Sequence, residues 1–559
     1  MNQNTQSLFR TTHWIKTYAP SPLTLLSAIL IVLSFPPFGY YPLLWIALLP
    51  WLIALDQAKS VKMAAKEGFW LGYGMSLGGF HWVAYVLTEF GGIPYSLGLV
   101  GLFLFATVCE PQFIVAAVIF KKMKKAPESS TSSLLQAMIP SLFFALAYTG
   151  IDWLLPKLFI DTLGHAFYAA PYFRQIADIG GASLITFLII WFNFALWQIL
   201  KASPKRNLSA SLSFILCSVT LGLGFIYGFF RYQQITLLQS QPTSGIQTAA
   251  IQANIGDFEK LAAERGIQGA GAHVIEEFTR LSREAMKHEP RPEVLLWPET
   301  AYPTSYRNSR TALESYLEHQ LESLLREIQV PILFGGYDTD HVHDYNSFFF
   351  LSPNGDLQVY HKNILLLFGE YIPGADLFPF LRDAFPQVGN FGRGNGPEVL
   401  KVSSTYPGSN PHLKTLLVQP AICYEILFPN FIREAAQKGS QAIFNITNDS
   451  WFGNWGEPQL HLALSTFRAI ETRLPILRST NTGISALILP NGEIQNQTDI
   501  GKQAILHTFI PTTQPIPTLF KKWGDWLGPF TFILSLAFIL TALLKRKFLS
   551  ESAAQNLSD

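Results

Sequence analysis

Thr415-Leu416-Leu417-Val418-Gln419-Pro420-Ala421-Ile422-Cys423-Tyr424-Glu425 is the stretch on which the reading of this chain turns. The run from Leu416 to Ile422 has the length and composition of a buried strand. It ends on a thiol, and a carboxylate follows two residues later. The chain holds three cysteines. Cys109 and Cys217 lie inside long apolar segments, and Cys423 alone lies in a region of ordinary globular composition. A lone thiol at a strand end is a candidate nucleophile rather than half of a disulfide. By itself it is more often a small buried apolar residue, so its meaning depends on what accompanies it.

Working outward, strands and helices alternate. Strands are expected at 247–255, 294–297, 332–336, 345–351, 358–361, 416–422, 442–447 and 484–489, with a short one at 493–495. Helices are expected at 272–288, 311–328, 429–438 and 457–472. Pro353-Asn354-Gly355-Asp356 and Pro490-Asn491-Gly492 read as hairpin turns. This order predicts a layered α/β domain. No internal repeat and no Gly-rich phosphate loop interrupts it.

The rest of the chain is different. Of 559 residues, 49% are hydrophobic and only 14% charged, low for a soluble protein. The apolar residues concentrate in 22–232 and 526–544. A bilayer core takes roughly 20 apolar residues of helix. Runs near 22–37, 40–55, 68–88, 93–120, 134–156, 179–200, 208–231 and 526–544 meet or approach that length. Pro36-Pro37 and Pro50 break the first two, which also fit a broken or re-entrant pair. Every second connection is basic: Arg10 and Lys16; Lys59, Lys62 and Lys66; Lys121 to Lys125; Lys201, Lys205 and Arg206; Lys545 to Lys547. The positive-inside rule then puts both termini in the cytoplasm and the α/β domain on the opposite face. Three parts are expected: a transmembrane part of about seven spans at 1–232, a catalytic domain at 233–515, and a last span with a cytoplasmic tail at 516–559. The first apolar run continues past Pro36-Pro37 without a small-residue cleavage site, unlike a signal peptide. His81, Glu89, Glu110, Asp152, His165 and Asp178 lie in or near spans, where polar groups are costly. The net charge of +1 and the lack of a basic stripe argue against nucleic acid as a partner.

Two further strand ends carry reactive groups. Glu299 follows Leu295-Leu296-Trp297-Pro298, and Lys362 follows Gln358-Val359-Tyr360-His361. Each has a plain structural reading as a cap, a solvated charge or a loop residue. Together with Cys423 they form an acyl-transfer set. A thiolate attacks a carbonyl, a carboxylate takes the thiol proton and returns one to the leaving group, and an ammonium stabilises the oxyanion. No His/Cys cluster suggests a metal, and no cofactor is expected. On the non-cytoplasmic side a thiol without a disulfide partner favours a chemical role.

Leu296-Trp297-Pro298-Glu299-Thr300-Ala301, Tyr360-His361-Lys362-Asn363 with Phe368-Gly369-Glu370-Tyr371-Ile372-Pro373, and Ile422-Cys423-Tyr424-Glu425 resemble the three signatures of the nitrilase (carbon–nitrogen hydrolase) superfamily. Asn445-Ile446-Thr447-Asn448-Asp449-Ser450-Trp451-Phe452-Gly453 and Arg478-Ser479-Thr480-Asn481-Thr482-Gly483 narrow this. With the apolar runs, the chain is similar to the apolipoprotein N-acyltransferase family. The resemblance implies a multi-pass α-helical membrane domain plus an α/β nitrilase-like αββα sandwich. It implies a Glu299–Lys362–Cys423 triad, Glu370 assisting, and Tyr424 and Glu425 lining the site. It also implies the substrates. The sn-1 acyl chain of a phospholipid, usually phosphatidylethanolamine, passes through a Cys423 thioester. It ends on the α-amine of the S-diacylglyceryl cysteine of an apolipoprotein, in the bacterial inner membrane with the catalytic domain periplasmic. A membrane-anchored chain favours a monomer.

Ala375-Asp376-Leu377-Phe378-Pro379-Phe380-Leu381 is apolar for a soluble domain. Phe378 and Phe380 suit a lipid-facing gate as well as a packed loop. Trp451 and Phe452 suit an acyl-chain contact or core. Ile364-Leu365-Leu366-Leu367 replaces the family's usual His-Leu-Val-Pro, Gln252-Ala253-Asn254 replaces Gln-Gly-Asn, and Phe159-Ile160-Asp161 replaces Phe-Pro-Trp. Competing readings are a membrane-tethered nitrilase-type amidohydrolase, which would use the same triad, and a non-enzymatic lipid transporter or scaffold.

Overall fold

The computed structural model describes residues 19–89, 91–124, 134–202, 207–242, 244–256, 269–308, 311–384, 388–403 and 415–555. Arg10, Lys16, Lys125, Lys205 and Arg206, part of the orientation reading, lie outside them.

The apolar region is helical: α1 (Pro22–Ser34), α2 (Leu49–Gln57), α3 (Val61–Gly79), α4 (Val83–Glu89), α5 (Tyr95–Ala106), α6 (Gln112–Lys124), α7 (Leu134–Leu154), α8 (Ala177–Lys201) and α9 (Asn207–Ser240). Ser21 caps α1 by accepting from Leu23 N, and Pro22 occupies its first turn, where a missing N–H costs nothing. Pro36-Pro37 follows shortly after its end. The single span expected at 93–120 is two helices, because Pro111 cannot continue the hydrogen-bond ladder from α5. The run 68–88 likewise divides at Gly79 into α3 and α4. The stretch 208–231 extends to Ser240, beyond the expected boundary at 232. Phe173–Lys201, Ala210–Ser240 and Leu527–Leu544 are long and apolar enough to cross a membrane by length and composition.

The α/β unit contains two six-stranded sheets. One holds β1 (Ser244–Gln252), β2 (Val294–Leu296), β3 (Ile332–Thr339), β4 (Asp344–Leu351), β5 (Leu357–His361) and β12 (Ala504–Thr512), in the order β12-β1-β2-β3-β4-β5. The other holds β6 (Leu400–Ser403), β7 (Thr415–Ile422), β8 (Ala442–Thr447), β9 (Ile476–Thr480), β10 (Ala486–Ile488) and β11 (Ile494–Gln497), in the order β11-β10-β9-β8-β7-β6. Side-chain alternation along a strand divides the core. Ile246, Ala250, Val294, Leu296, Leu333 and Phe348 face the second sheet's Val418, Ile422, Phe444 and Ile446. Ala249, Ile251, Leu295, Ile332, Phe334 and Phe349 face α10 (Ala270–Ala285) and α11 (Ala312–Ile328). On the far side lie α12 (Pro429–Gln437) and α13 (Glu457–Thr472), which completes an αββα sandwich. Sequence reading finds neither β6 nor β9 nor β12. β12 pairs antiparallel with β1 along its whole length, Ser244 opposite Thr512, so both ends of the sandwich leave from one place. The chain departs there into α14 (Leu519–Trp523) and α15 (Leu527–Gln555), and α15 packs on α7.

Every residue of α13 except Gln459 is buried, because α8 covers one side and Phe467 and Ile470 pack into the core with Ile443 and Phe444 of the second sheet on the other. A helix covered all round needs no polar face. At its end, Arg473 Nη2 donates to Asp178 Oδ2 at 2.7 Å and Arg231 Nε to the same oxygen at 2.8 Å. Removing one member of such a buried set costs about 3–5 kcal/mol. The helical region and the sandwich are thereby held in one register.

Candidate active site

Glu299, Lys362 and Cys423 leave the C-terminal ends of β2, β5 and β7, two from one sheet and one from the other. The turn at Glu299 sits directly against Gly335: a Cβ there would lie 2.6 Å from Glu299 Cα. Lys362, 1% exposed, is anchored by its N–H to Asn346 O at 2.9 Å. Its Nζ donates to Glu299 Oε1 at 3.2 Å and to Glu370 Oε1 at 2.8 Å. Cys423 has φ +49°, a left-handed conformation costing about 1–2 kcal/mol for a residue with a Cβ. Such strain gathers at functional turns. It places the thiol on a sharp bend between β7 and the 3-10 turn Cys423–Leu427.

Asn346, on β4, was not singled out by sequence reading. Its Nδ2 donates to Glu299 Oε1 and to Glu370 Oε1, both at 2.8 Å. Asn448 N, just beyond β8, donates to Glu299 Oε2 at 2.9 Å. The Glu299 carboxylate is therefore held by an ammonium, an amide side chain and a backbone N–H from both sheets. Glu370 is fixed by Leu366 N at 2.8 Å. The Ile364–Leu367 segment thus closes on the carboxylate that supports Lys362.

Glu425 is wholly buried. It accepts from Tyr360 Oη at 2.8 Å, Asn363 N at 2.6 Å and Ile422 N at 2.8 Å. It ties the strand end carrying Lys362 to the turn carrying Cys423 and does not line an open site. Tyr424 donates to Leu158 O in the α7–α8 connection and packs on Phe428 and Phe159. Phe452 is buried against Trp82 and Phe159, and Trp451 is half-buried. Phe378 and Phe380 are 54% and 64% exposed and Leu377 80%, so the apolar loop stands out from the sandwich.

Charge explains the division of labour. Burial would lower the Lys362 pKa, but Glu299 and Glu370 outweigh it and hold the ammonium well above its ordinary value. Burial and then Glu299 push the Cys423 thiol well above its own, with Lys362 opposing. Cys423 is thus held as a neutral thiol beside a carboxylate, and a nucleophilic role for it would require proton transfer to a base. The Thr447 hydroxyl beside the thiol opposes that rise. Its single proton is shared between the sulfur and Asp449 Oδ1, 2.8 Å from Thr447 Oγ1.

Behind that hydroxyl lies a buried set that sequence reading missed. Asp449, Glu457 and His461 place ligand atoms within 4.8 Å of one another, a spacing a metal would accept. Arg478 Nη2, however, donates to Asp449 Oδ2 at 2.7 Å and lies 3.1 Å from His461 Nδ1. A guanidinium supplies the positive charge there. Although burial opposes it, Arg478 and then His461 hold Asp449 well below the usual carboxylate range. Sequence reading quotes Asp449 and Arg478 as parts of the two narrowing motifs but does not single out Glu457 or His461.

The sandwich and the buried Glu–Lys–Cys convergence define a carbon–nitrogen hydrolase domain, and the carbon–nitrogen hydrolase family matches residues 238–512. The apolipoprotein N-acyltransferase N-terminal domain matches residues 27–195. The apolipoprotein N-acyltransferase of Bdellovibrio bacteriovorus is 32% identical, over 90% of this chain and 90% of that one. That of Geobacter metallireducens is 30% identical, over 90% of this chain and 91% of that one. The chain belongs to the apolipoprotein N-acyltransferase family. It is a membrane protein and an acyltransferase built on a carbon–nitrogen hydrolase fold.

Proposed function

We propose that the chain transfers the sn-1 acyl chain of a phospholipid to the α-amine of an S-diacylglyceryl cysteine at the N-terminus of an apolipoprotein, in two steps through Cys423. In the first, Cys423 Sγ attacks the ester carbonyl while Glu299 takes the thiol proton. Lys362 Nζ and a backbone amide of the Cys423 turn hold the oxyanion. Collapse forms the thioester, and Glu299 returns the proton to the departing lysophospholipid alkoxide. In the second step the lipoprotein amine attacks the thioester, Glu299 accepts its proton, and the amide forms as the thiolate leaves and is reprotonated. Glu370 keeps Lys362 charged and placed while Glu299 is neutral, and Asn346 bridges both carboxylates throughout.

The observation that carries this reading is the shared contact of Lys362 with Glu299 and Glu370 beside Cys423, in a chain with membrane-crossing helices. Both substrates carry acyl chains, and their reacting groups sit at headgroup depth. The exposed Leu377, Phe378 and Phe380 suit a loop that dips into that layer and gates the site. The reading places both termini in the cytoplasm and the sandwich in the periplasm, with the parts at 1–232, 233–515 and 516–559 and a monomer as the working unit.

The test is direct. Purified protein is incubated with labelled phosphatidylethanolamine, then with a diacylglyceryl peptide. A hydroxylamine-sensitive acyl group on Cys423, passed on to the peptide α-amine, is expected. Absence of an acyl-enzyme sinks the proposal, and discharge to water alone makes the chain a hydrolase. Cys423→Ser should abolish the thioester and Cys423→Ala turnover.

A further inference from the structure

The last span is basic at both ends. Lys545, Arg546 and Lys547 follow it, and Lys521 and Lys522 stand just before it. The positive-inside rule accounts for one basic end of a span and leaves the other unexplained. Lys521 and Lys522 belong to α14, the short helix between β12 and α15.

α14 is clamped to the sandwich. Phe520 is buried, and Thr518 Oγ1 donates to Glu471 O at 2.7 Å. At the other end of the helix, Arg433 of α12 donates from Nε to Lys521 O and from Nη2 to Lys522 O, both at 2.8 Å. Gln437 Nε2 donates to Lys521 O at 2.7 Å. These contacts satisfy carbonyls that a helix end leaves open. They also bring a third positive charge to the same turn. Lys521 Nζ donates only to Ile516 O, at 3.1 Å, and Lys522 is exposed.

No carboxylate neutralises this group. Among the described residues none forms an ion pair with Arg433, Lys521 or Lys522. Asp525 is turned inward, where its Oδ1 accepts from Ser183 Oγ at 3.2 Å. Glu434 is engaged with Lys438 at 3.4 Å. Burial and then Arg473 lower Lys521 to about 8, which an anion beside it would reverse.

An apolar stripe begins at the same turn. Trp523 and Phe530 are 54% and 51% exposed, and Ile533 is 65% exposed. Trp523, Trp526 and Phe530 follow one another down one face, with ring centroids 5.8 and 5.9 Å apart. Tryptophans at the end of a span suit the membrane interface, with the aliphatic residues beyond them at acyl-chain depth.

We propose that this face binds a phospholipid of net negative charge, one whose phosphodiester carries no ammonium. The phosphate lies against Lys522 in the field of Lys521 and Arg433, and the acyl chains lie along Trp526, Phe530 and Ile533. A zwitterionic headgroup brings its own cation to a turn that already holds three, and gains less from them. The site shares no residue with the Cys423 cluster and does not depend on the transfer reading. Because α14 is clamped to α12, a lipid held here ties the sandwich to the bilayer surface.

Binding is measured with the full-length Cys423→Ala protein in neutral detergent, so that no acyl chain is transferred. Native mass spectrometry counts bound short-chain phosphatidylglycerol, phosphatidylcholine and phosphatidylethanolamine of one acyl composition. Phosphatidylglycerol is expected to bind about tenfold more tightly than either of the others at low salt. High salt should bring that preference to within about threefold. Lys521→Gln with Lys522→Gln should do the same, since the Arg433 clamp uses backbone carbonyls and survives. Lys522→Glu alone, at an exposed position, should abolish the preference. Equal binding of the three lipids overturns the proposal. So does a preference that survives Lys522→Glu, which places its origin elsewhere. If inorganic phosphate binds and is lost in Lys522→Glu while the lipids are not distinguished, the turn takes a soluble anion and the lipid assignment falls.

Discussion

Glu370→Gln tests how the carboxylate pair around Lys362 works. The substitution keeps shape but leaves one carbonyl oxygen where the carboxylate had two. That oxygen can stay with Lys362 Nζ and Asn346 Nδ2, and the Leu366 N–H, now 2.8 Å from Glu370 Oε2, then faces an NH2 donor. At 2.8 Å from Lys362 Nζ, the full Coulomb attraction at an effective dielectric of 20 would be roughly 6 kcal/mol. Most of that is offset by desolvation and by the hydrogen bond that glutamine still accepts. A charged hydrogen bond is worth about 1.5–3 kcal/mol and a neutral one about 1, so the loss lies near 1–2 kcal/mol. It should grow when Glu299 is protonated, because Glu370 is then the one carboxylate left to hold Lys362 toward the developing negative charge, and about 2–3 kcal/mol is expected at the transition state. At 1.36 kcal/mol per decade, acyl-enzyme formation should slow roughly 30- to 150-fold. The assay is the single-turnover rate of hydroxylamine-sensitive labelling from phosphatidylethanolamine. Alkylation of Cys423 by iodoacetamide is measured in parallel and should not fall, since Glu299 remains to take the proton. A labelling rate within twofold of wild type would refute the supporting role of Glu370. A matching collapse of alkylation would instead make Glu370 the base.

Thr447→Val removes the hydroxyl shared between Asp449 and the thiol; Cys423 alkylation at neutral pH should drop about tenfold, the worth of one charged hydrogen bond, and Thr447→Ser should restore it. Phe378→Ser with Phe380→Ser should leave melting temperature within a few degrees, because both rings are exposed, while weakening lipid binding and transfer. Unchanged transfer rates would end the gate idea. His507 stacks on His288 with ring centroids 3.9 Å apart, and burial followed by His288 lowers its pKa from 6.5 to about 4. The unfolded chain binds more protons than the native one in that interval, so this residue's contribution is present above pH 6.5 and lost as pH falls toward 4. His507→Gln should flatten the melting-temperature curve across that window, and a curve of unchanged slope would contradict the assignment.

Much of this protein is legible in one dimension. Short continuous apolar runs define β4, β7 and β8, and the strand-end motifs single out Glu299, Lys362 and Cys423, because run length, composition and strand-end chemistry are local properties. Local signals also find the apolar runs, but not how Pro111 divides one of them. Short or edge strands such as β6 and β12 escape because their stability comes from pairing with β7 and β1, not from their own residues.

What only the tertiary structure decides is which strand ends meet. Glu299 and Lys362 are 63 residues apart and Asn448 is 149 from Glu299. No sequence spacing specifies these contacts, and they arise because two sheets pack face to face. The same packing turns Asn346 from a polar residue on a strand into a bridge between two carboxylates. It encloses Asp449, His461 and Arg478 behind the thiol, and it buries α13 between a sheet and α8. The amino-acid sequence by itself determined the reactive groups and the apolar lengths. Their convergence and the charges they impose on one another were decided by the fold, because long-range packing sets distance and burial, and these set the electrostatics.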